Sequence, residues 1–434
     1  MAMETLTLGE ICDKGGGTVR TGPFGSQLHQ SDYQDEGIPV VMPKDILEGT
    51  VSEESIARIG QEDAERLSQH RLMVDDIVYG RRGDIGRHAF IREHQEGWLC
   101  GTGCLRISLG KSVLDPLFLH YYLEQDDVIG WIGNQAIGAT MPNLNTSILR
   151  SLPISYPPRK IQNKIASILG AYDDLIENNL RRIKILEEMA QNLYREWFVN
   201  FRFPGHKSLP KVDSPLGPIP KGWKVKSFTD VVDVMSGGTP SKKNPEFWDG
   251  EIPFFTPSDT PLGFYVTDTE DHITKLGLSK CSSNLYPKNT VFITARGTVG
   301  KVVMPFVDMA MNQSCYALVG KEGYDQLFVF FLTLASVEYL KKNTGGATFA
   351  TIIVDTFRRF QIIVPLTSLV SKFALAISPM IEIIGNLVQK NTNLRMTRDF
   401  LLPRLISGEA AIADIDDEEG KTPCNQYNLL YTKG

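Results

Sequence analysis

Ordered self-similarity limits the fold of this chain more than any other feature. IPVVMPKD at Ile38 to Asp45 returns as IPFFTPSD at Ile252 to Asp259, and VYGRRGDIGR from Val78 returns as FITARGTVGK from Phe292, both at an offset of 214. GTGCLRI from Gly101 matches NQSCYAL from Asn312 at 211, chiefly through its cysteine, and GATMPNLNTSILRSLPISYPP from Gly138 aligns with the segment from Gly346 at 208. The matches keep their order over more than a hundred residues, so the chain must fold as two diverged copies of one long unit.

Each copy ends in a helical pattern. From Ile161 to Trp197, eleven apolar positions take ten steps over 36 residues, which is the period of an α-helix. Adding 208 gives Leu369 to Leu405, apolar at nine of eleven positions, the exceptions being Asn391 and Arg398. A helix of that length is about 55 Å long, and an apolar stripe along it needs a partner, for which the other copy is the nearest candidate. Asn391 either fixes register between the helices, as a buried asparagine does, or marks where the stripe turns to solvent. Pro379 should kink the second helix or mark its start. A run of Pro and Gly from Pro204 to Pro220 reads as a linker.

Ahead of each helix lie short runs rich in Val, Ile, Phe and Tyr, such as Ile77 to Tyr79, Ala89 to Ile91, Thr290 to Thr294 and Val302 to Met304. Helical stretches are expected around Asp115 to Gln125 and Asp325 to Tyr339. The fold class is α+β: two mixed α/β domains in tandem, each followed by a long helix. The expected boundaries are 1–156 for the first domain, 157–206 for the first helical region and the start of the linker, 207–366 for the second domain, 367–408 for the second helical region and 409–434 for an acidic tail.

Charge excludes less than it first suggests. The net charge is -6, yet residues 1–156 carry 13 Lys and Arg against 22 Asp and Glu, and six carboxylates fall between Glu409 and Glu419. Nucleic-acid binding depends on where cations cluster and not on the total. The six cysteines are thinly spread, so a reducing cytoplasm and buried thiols are expected ahead of disulfides or zinc, since no His or Cys pair with ligand spacing accompanies Cys100 and Cys104. Met-Ala-Met-Glu has no basic flank or apolar core, and no run approaches 18 apolar residues, so neither secretion nor membrane spanning is expected.

Catalytic motifs fail on inspection. Gly300-Lys301 and Gly110-Lys111-Ser112 lack the leading glycine of a phosphate loop, no Gly-x-Gly-x-x-Gly opens a helix, and neither a Gly-x-Ser-x-Gly elbow nor His-Glu-x-x-His occurs. No catalytic residue, metal ligand or cofactor site is expected in this chain. What does recur is a basic tip bearing glycines: Arg81, Arg82, Gly83, Gly86, Arg87 and His88 in the first copy, Arg296, Gly297, Thr298, Gly300 and Lys301 in the second. Glycine permits sharp turns and close approach, and arginine pairs with guanine edges or phosphates. A second basic stretch precedes each tip, with Arg20, Thr21, Phe24, Ser26 and Gln27 in one copy and Thr239, Lys242 and Lys243 in the other; Lys44 closes the IPVVMPK match. Any one basic loop is more often a solvated turn than a DNA contact, but recurrence in both copies favours function. On residues alone, a self-contained DNA-modifying or DNA-cleaving enzyme and a coiled-coil scaffold that binds only protein stay open as alternatives.

The chain resembles the specificity subunits of Type I restriction-modification systems. The resemblance rests on TGPFGSQL from Thr21, DDIVYGRRGDIGR from Asp75, GTGCLRI from Gly101 and the segment from Gly138 into the first helix, with FATIIVDTF in the second half departing from MPNLNTSIL in the first. It implies two target-recognition domains spaced by helices that pair as an antiparallel coiled coil. It further implies an asymmetric bipartite double-stranded DNA target, two methyltransferase subunits docked on the helices, and restriction/motor subunits. S-adenosylmethionine, and ATP with Mg for restriction, would be used by those partners, with no cofactor in this chain.

Overall fold

A computed structural model describes residues 3–82, 86–135, 143–321, 323–343 and 351–409. The chain folds as two compact units, Met1–Asp173 with Met396–Gly434, and Asp174–Arg395. Each unit therefore takes one part of each long helix, Arg159–Tyr194 and Thr367–Ser407.

In the first unit, Gly16–Thr21 pairs with Cys104–Gly110, which pairs with Ile77–Gly80, which pairs with His88–Phe90, all antiparallel. A smaller sheet orders Leu99–Cys100, Ile38–Val41, Ala57–Ile59 and Tyr33–Gln34. The second unit repeats both. Val232–Ser236, Cys315–Gly320, Val291–Thr294 and Val302–Pro305 form consecutive antiparallel neighbours, and Trp248–Phe255 runs parallel to Ala310–Met311 as Ile38–Val41 does to Leu99–Cys100. The central strands are buried on both faces, which explains why Ile77–Gly80 and Val291–Thr294 read as continuous apolar runs and not as alternation. Helices Pro116–Leu123 and Gln326–Lys342 cover the sheets, each started by an aspartate, Asp115 or Asp325, whose carboxylate accepts a backbone N–H of the first turn.

The repeat begins earlier than the sequence matches. Glu4–Thr7 pairs with Pro153–Tyr156, and Lys224–Ser227 with Gln361–Val364. The next helix of each copy opens with a capping box, Thr7 with Glu10 and Ser227 with Asp230. These equivalents stand 220 apart, so the offset drifts further than the matches indicated; only the box survives in the letters, TLGE against SFTD.

Helix Thr367–Ser407 runs unbroken past Pro379, so that proline does not mark its start. By length and composition this helix is apolar enough to cross a membrane, and 44% of its most apolar stretch is buried inside the protein. Its buried face meets the first helix. In the second unit Phe373 packs on Tyr194, Trp197 and Phe198 with ring centroids 5.0–5.9 Å apart, while Asn391 Oδ1 accepts from Asn179 Nδ2 at 2.8 Å. One number rises as the other falls, so the helices run antiparallel there. Asn391 is 2% exposed and also donates to Ile176 O at 3.4 Å; of the two expectations for it, the one that turns the stripe to solvent does not hold. Arg398, the other break in the stripe, is partly buried in the first unit, paired with Asp173 at 2.6 Å.

Glu187 of the first helix accepts the Phe264 N–H at 2.8 Å, and burial pushes its carboxyl up to about 7 from an ordinary 4.5. A carboxyl raised in the folded state stabilises fully below about pH 4.5, and that contribution is lost as pH rises through about 7. Unfolding measured between pH 5 and pH 8 should therefore show Glu187→Gln gaining on the parent chain as pH rises, by about 1 kcal/mol or more.

Candidate nucleic-acid interface

One turn organises the basic loops of the first unit. Residues 101–104 accept the Gly22 N–H at Cys104 O (2.9 Å) and the Arg81 N–H at Gly103 O (2.8 Å), while Gly101 N–H donates to Val41 O (2.9 Å). Thr102 Oγ1 adds a bond to Pro23 O at 3.0 Å, and the Leu144 N–H closes on Arg81 O at 3.0 Å. Three loops that are far apart in sequence, at 21–28, 41–45 and 80–82, are thus fastened around one turn. Glycine is required where they meet, because a Cβ at Gly22 would drive into the Gly101 carbonyl and one at Gly101 into the Val41 carbonyl and Met42.

The second unit fastens its loops by the same bonds. Gly237 N–H reaches Cys315 O (3.4 Å), Ala295 N–H reaches Ser314 O (2.7 Å), Asn312 N–H reaches Phe255 O (3.0 Å) and Ile352 N–H reaches Ala295 O (3.1 Å). Thr239 Oγ1 also bonds the Gln313 side chain. The turns 101–104 and 312–315 were legible only as weak matches around a cysteine. Thr102, Asn312, Gln313 and Ser314 belong with the loops they hold, and none of the four stands among the residues expected from sequence.

The expected contact residues fall into three groups. Arg20, Ser26, Lys44, Arg82 and Arg87 are exposed in the first unit, as are Thr239, Lys242, Lys243, Arg296, Thr298 and Lys301 in the second. Several are steadied locally: Lys44 Nζ donates to Ser55 O at 3.2 Å, and Lys242 Nζ lies 5.2 Å over the Trp248 ring and 3.7 Å from Asp271. Thr21, Gln27 and Arg81 are half-buried and structural. Gln27 Oε1 accepts the Phe24 N–H at 3.1 Å and leaves the Phe24 ring 56% exposed, while Arg81 Nε donates to Leu144 O at 2.9 Å. Offset 214 pairs Arg296 with Arg82 and not with Arg81, whose equivalent is Ala295.

His88 leaves the set. It is 3% exposed, with Nδ1 3.0 Å from Gly86 O and Nε2 3.0 Å from His120 O, so the ring is buried where DNA does not reach it. Gly83 lies outside the described residues, as do the Gly138 and Gly346 ends of the last repeat match.

The acidity of the first unit has a structural use. Asp32, Asp45 and Asp76 each accept the backbone N–H three residues earlier, from His29, Met42 and Met73 at 2.8–2.9 Å. Asp13 and Asp115 pair with Arg150 and Arg159 at 2.7 and 3.0 Å. Carboxylates consumed as turn caps and in local pairs do not face the loop cluster as free charge.

The chain matches the family described as Type I restriction modification DNA specificity domain over residues 2–188 and 220–375. It is 27% identical over 390 residues to the Type I restriction enzyme MjaIX specificity subunit of Methanocaldococcus jannaschii, covering 88% of this chain and 89% of that one. It is 24% identical to the Type I restriction enzyme HindI specificity subunit of Haemophilus influenzae over 77% of this chain and 86% of that one. The crystal structure of a Type I restriction-modification S subunit from M. genitalium superposes with a TM-score of 0.55 at 15% identity, covering 94% and 96% of the two chains.

Proposed function

The chain belongs to the DNA-specificity family of Type I restriction-modification systems, and from that premise we propose that its two loop clusters read the two halves of an asymmetric bipartite target in double-stranded DNA. The observation that carries this reading is the duplication of the cluster with its backbone bonds kept and its side chains changed. Bonds such as Leu144 N–H to Arg81 O and Ile352 N–H to Ala295 O preserve the platform. Arg82 and Arg296 are equivalent, but other residues it presents differ: Phe24, Ser26 and Arg87 on one copy, Thr239, Lys242 and Lys301 on the other. Base edges are read by donor and acceptor pattern, so different side chains on one platform select different half-sites.

The chain itself performs no chemistry in this reading. Two methyltransferase subunits, using S-adenosylmethionine, dock on the long helices, and restriction/motor subunits using ATP and Mg complete the complex in the cytoplasm. Apolar side chains left exposed on those helices support docking: Leu175, Leu180, Ile185 and Met189 on the first, and Leu375, Met396 and Phe400 on the second, exposed by 76%, 67% and 58%.

Co-expression with a methyltransferase subunit encoded beside it, followed by genome-wide mapping of methylated adenines, should yield one bipartite motif with unlike halves. Methylation or cleavage by the purified chain alone, given S-adenosylmethionine or Mg²⁺, would overturn the non-catalytic reading. In the assembled complex, Arg82→Ala and Arg296→Ala should each weaken DNA binding by about 1–3 kcal/mol if the side chain reads a base. A loss confined to one half-site in competition binding separates base reading from phosphate contact, which weakens all sequences alike.

A further inference from the structure

Beside the basic tip of the first unit, three side chains come together that no spacing in the sequence connects. His88, from strand His88–Phe90, meets His120 of helix Pro116–Leu123 and Glu124 at its C-cap, and each offers a donor atom within 4.8 Å of the others. We propose that His88, His120 and Glu124 form a binding site for a zinc-class divalent transition metal, with an open coordination position facing the adjoining cavity.

Hydrogen bonding leaves the cluster incomplete without a cation. Both nitrogens of His88 face carbonyl oxygens at 3.0 Å, yet a neutral imidazole carries one N–H. In the neutral ring one nitrogen therefore points a lone pair at an oxygen, a repulsion that a cation held by that nitrogen and the carbonyl together would remove. Buried His120 Nδ1 has no hydrogen-bond partner among the described residues, and its Nε2 stands 3.5 Å from Glu124 Oε1. Two imidazoles and one carboxylate suit zinc, whereas magnesium and calcium favour oxygen donors. Arg398 also faces Glu124, but its guanidinium is bonded to Asp173 at 2.6 Å and Asp399 at 2.9 Å.

Access and packing agree. His88 and Glu124 line a cavity of about 890 Å³. Gly49 stands against the pair, where a Cβ would lie 2.8 Å from Glu124 Oε1 and 3.1 Å from the His120 ring. The second copy argues that the cluster is not needed to build the fold. At the offset of 210 given by the caps Asp115 and Asp325, His120 and Glu124 become Phe330 and Leu334, and His88 becomes Val302 at offset 214. The same architecture thus packs with hydrocarbon where the first copy has placed three ligands. Because Gly86 O bonds His88 Nδ1, the ion would brace the end of the 81–87 tip; that link to DNA alone rests on the proposed function.

The full-length chain, in its methyltransferase complex if needed, is stripped with chelator and titrated with Zn²⁺, and with Co²⁺ as a spectroscopic probe. One equivalent should bind, with the visible Co²⁺ spectrum of nitrogen and oxygen ligation, and Glu124→Gln should weaken binding about tenfold or more. A His88→Val/His120→Phe/Glu124→Leu chain, repacked as the second copy is, should fold and bind none. Absence of micromolar zinc binding, equal binding by the parent chain and Glu124→Gln, or a thiolate-to-cobalt charge-transfer band would each overturn the site. The readout is metal uptake, so it can fail while DNA recognition stands.

Discussion

Exchanging residues 1–156 for the corresponding domain of a diverged family member changes one half of the methylated sequence and leaves the other half intact. The physical basis is that the first cluster is closed within its own unit: the turn 101–104 gathers loops 21–28, 41–45 and 80–82, and the Leu144 N–H seals them. The loops of the second cluster fasten to 312–315 within their own unit. A bipartite specificity should therefore be exchanged by halves, and discrimination at the replaced half should move by the full specific-over-nonspecific margin of that half, several kcal/mol. Sequencing of methylated adenines reads the outcome directly. A change in both halves would mean that the clusters are coupled, and no change would place recognition elsewhere.

Arg398→Ala destabilises the first unit by about 3–5 kcal/mol. Its side chain is 12% exposed and that of Asp173 is 13% exposed, with Nη1 2.6 Å from Oδ1. Asp173 further accepts the Tyr121 hydroxyl, and Arg398 also reaches Asp399 at 2.9 Å. Removing the guanidinium leaves a largely desolvated carboxylate without its countercharge, the costliest way to break such a pair. Asp173→Leu/Arg398→Leu should recover most of the loss, since hydrocarbon of similar volume avoids desolvating either charge. Denaturant unfolding of the three chains checks this, and a single-variant loss under about 1 kcal/mol would show that the pair contributes little.

Much of the architecture was legible in the letters because it rests on periodicity. Two copies, two long helices and the short apolar strands follow from apolar spacing, and the helices expected around Asp115 and Asp325 start there. The first ribbon of each copy was not legible. Glu4–Thr7 and Lys224–Ser227 are held by backbone pairing that imposes no side-chain identity, so their similarity had decayed to a capping box. The candidate interface was legible as basic, glycine-bearing loops, yet the loops gave no sign of what fastens them. Arg81, Arg82, Arg87 and His88 look alike as a basic run, and only packing sorts them into a strut, two exposed cations and a buried imidazole.

The repeat thus determined by sequence alone that this chain is two of one thing, because repeated apolar spacing leaves few other ways to bury a core. Tertiary structure decided what the polar residues do. Burial and partner, not residue type, assign Asp45 to a turn, Asn391 to a buried bond between the helices and Arg398 to a partly buried ion pair. Those assignments depend on atoms brought together from distant parts of the chain, such as His88 and His120, whose spacing of 32 residues carries no pattern.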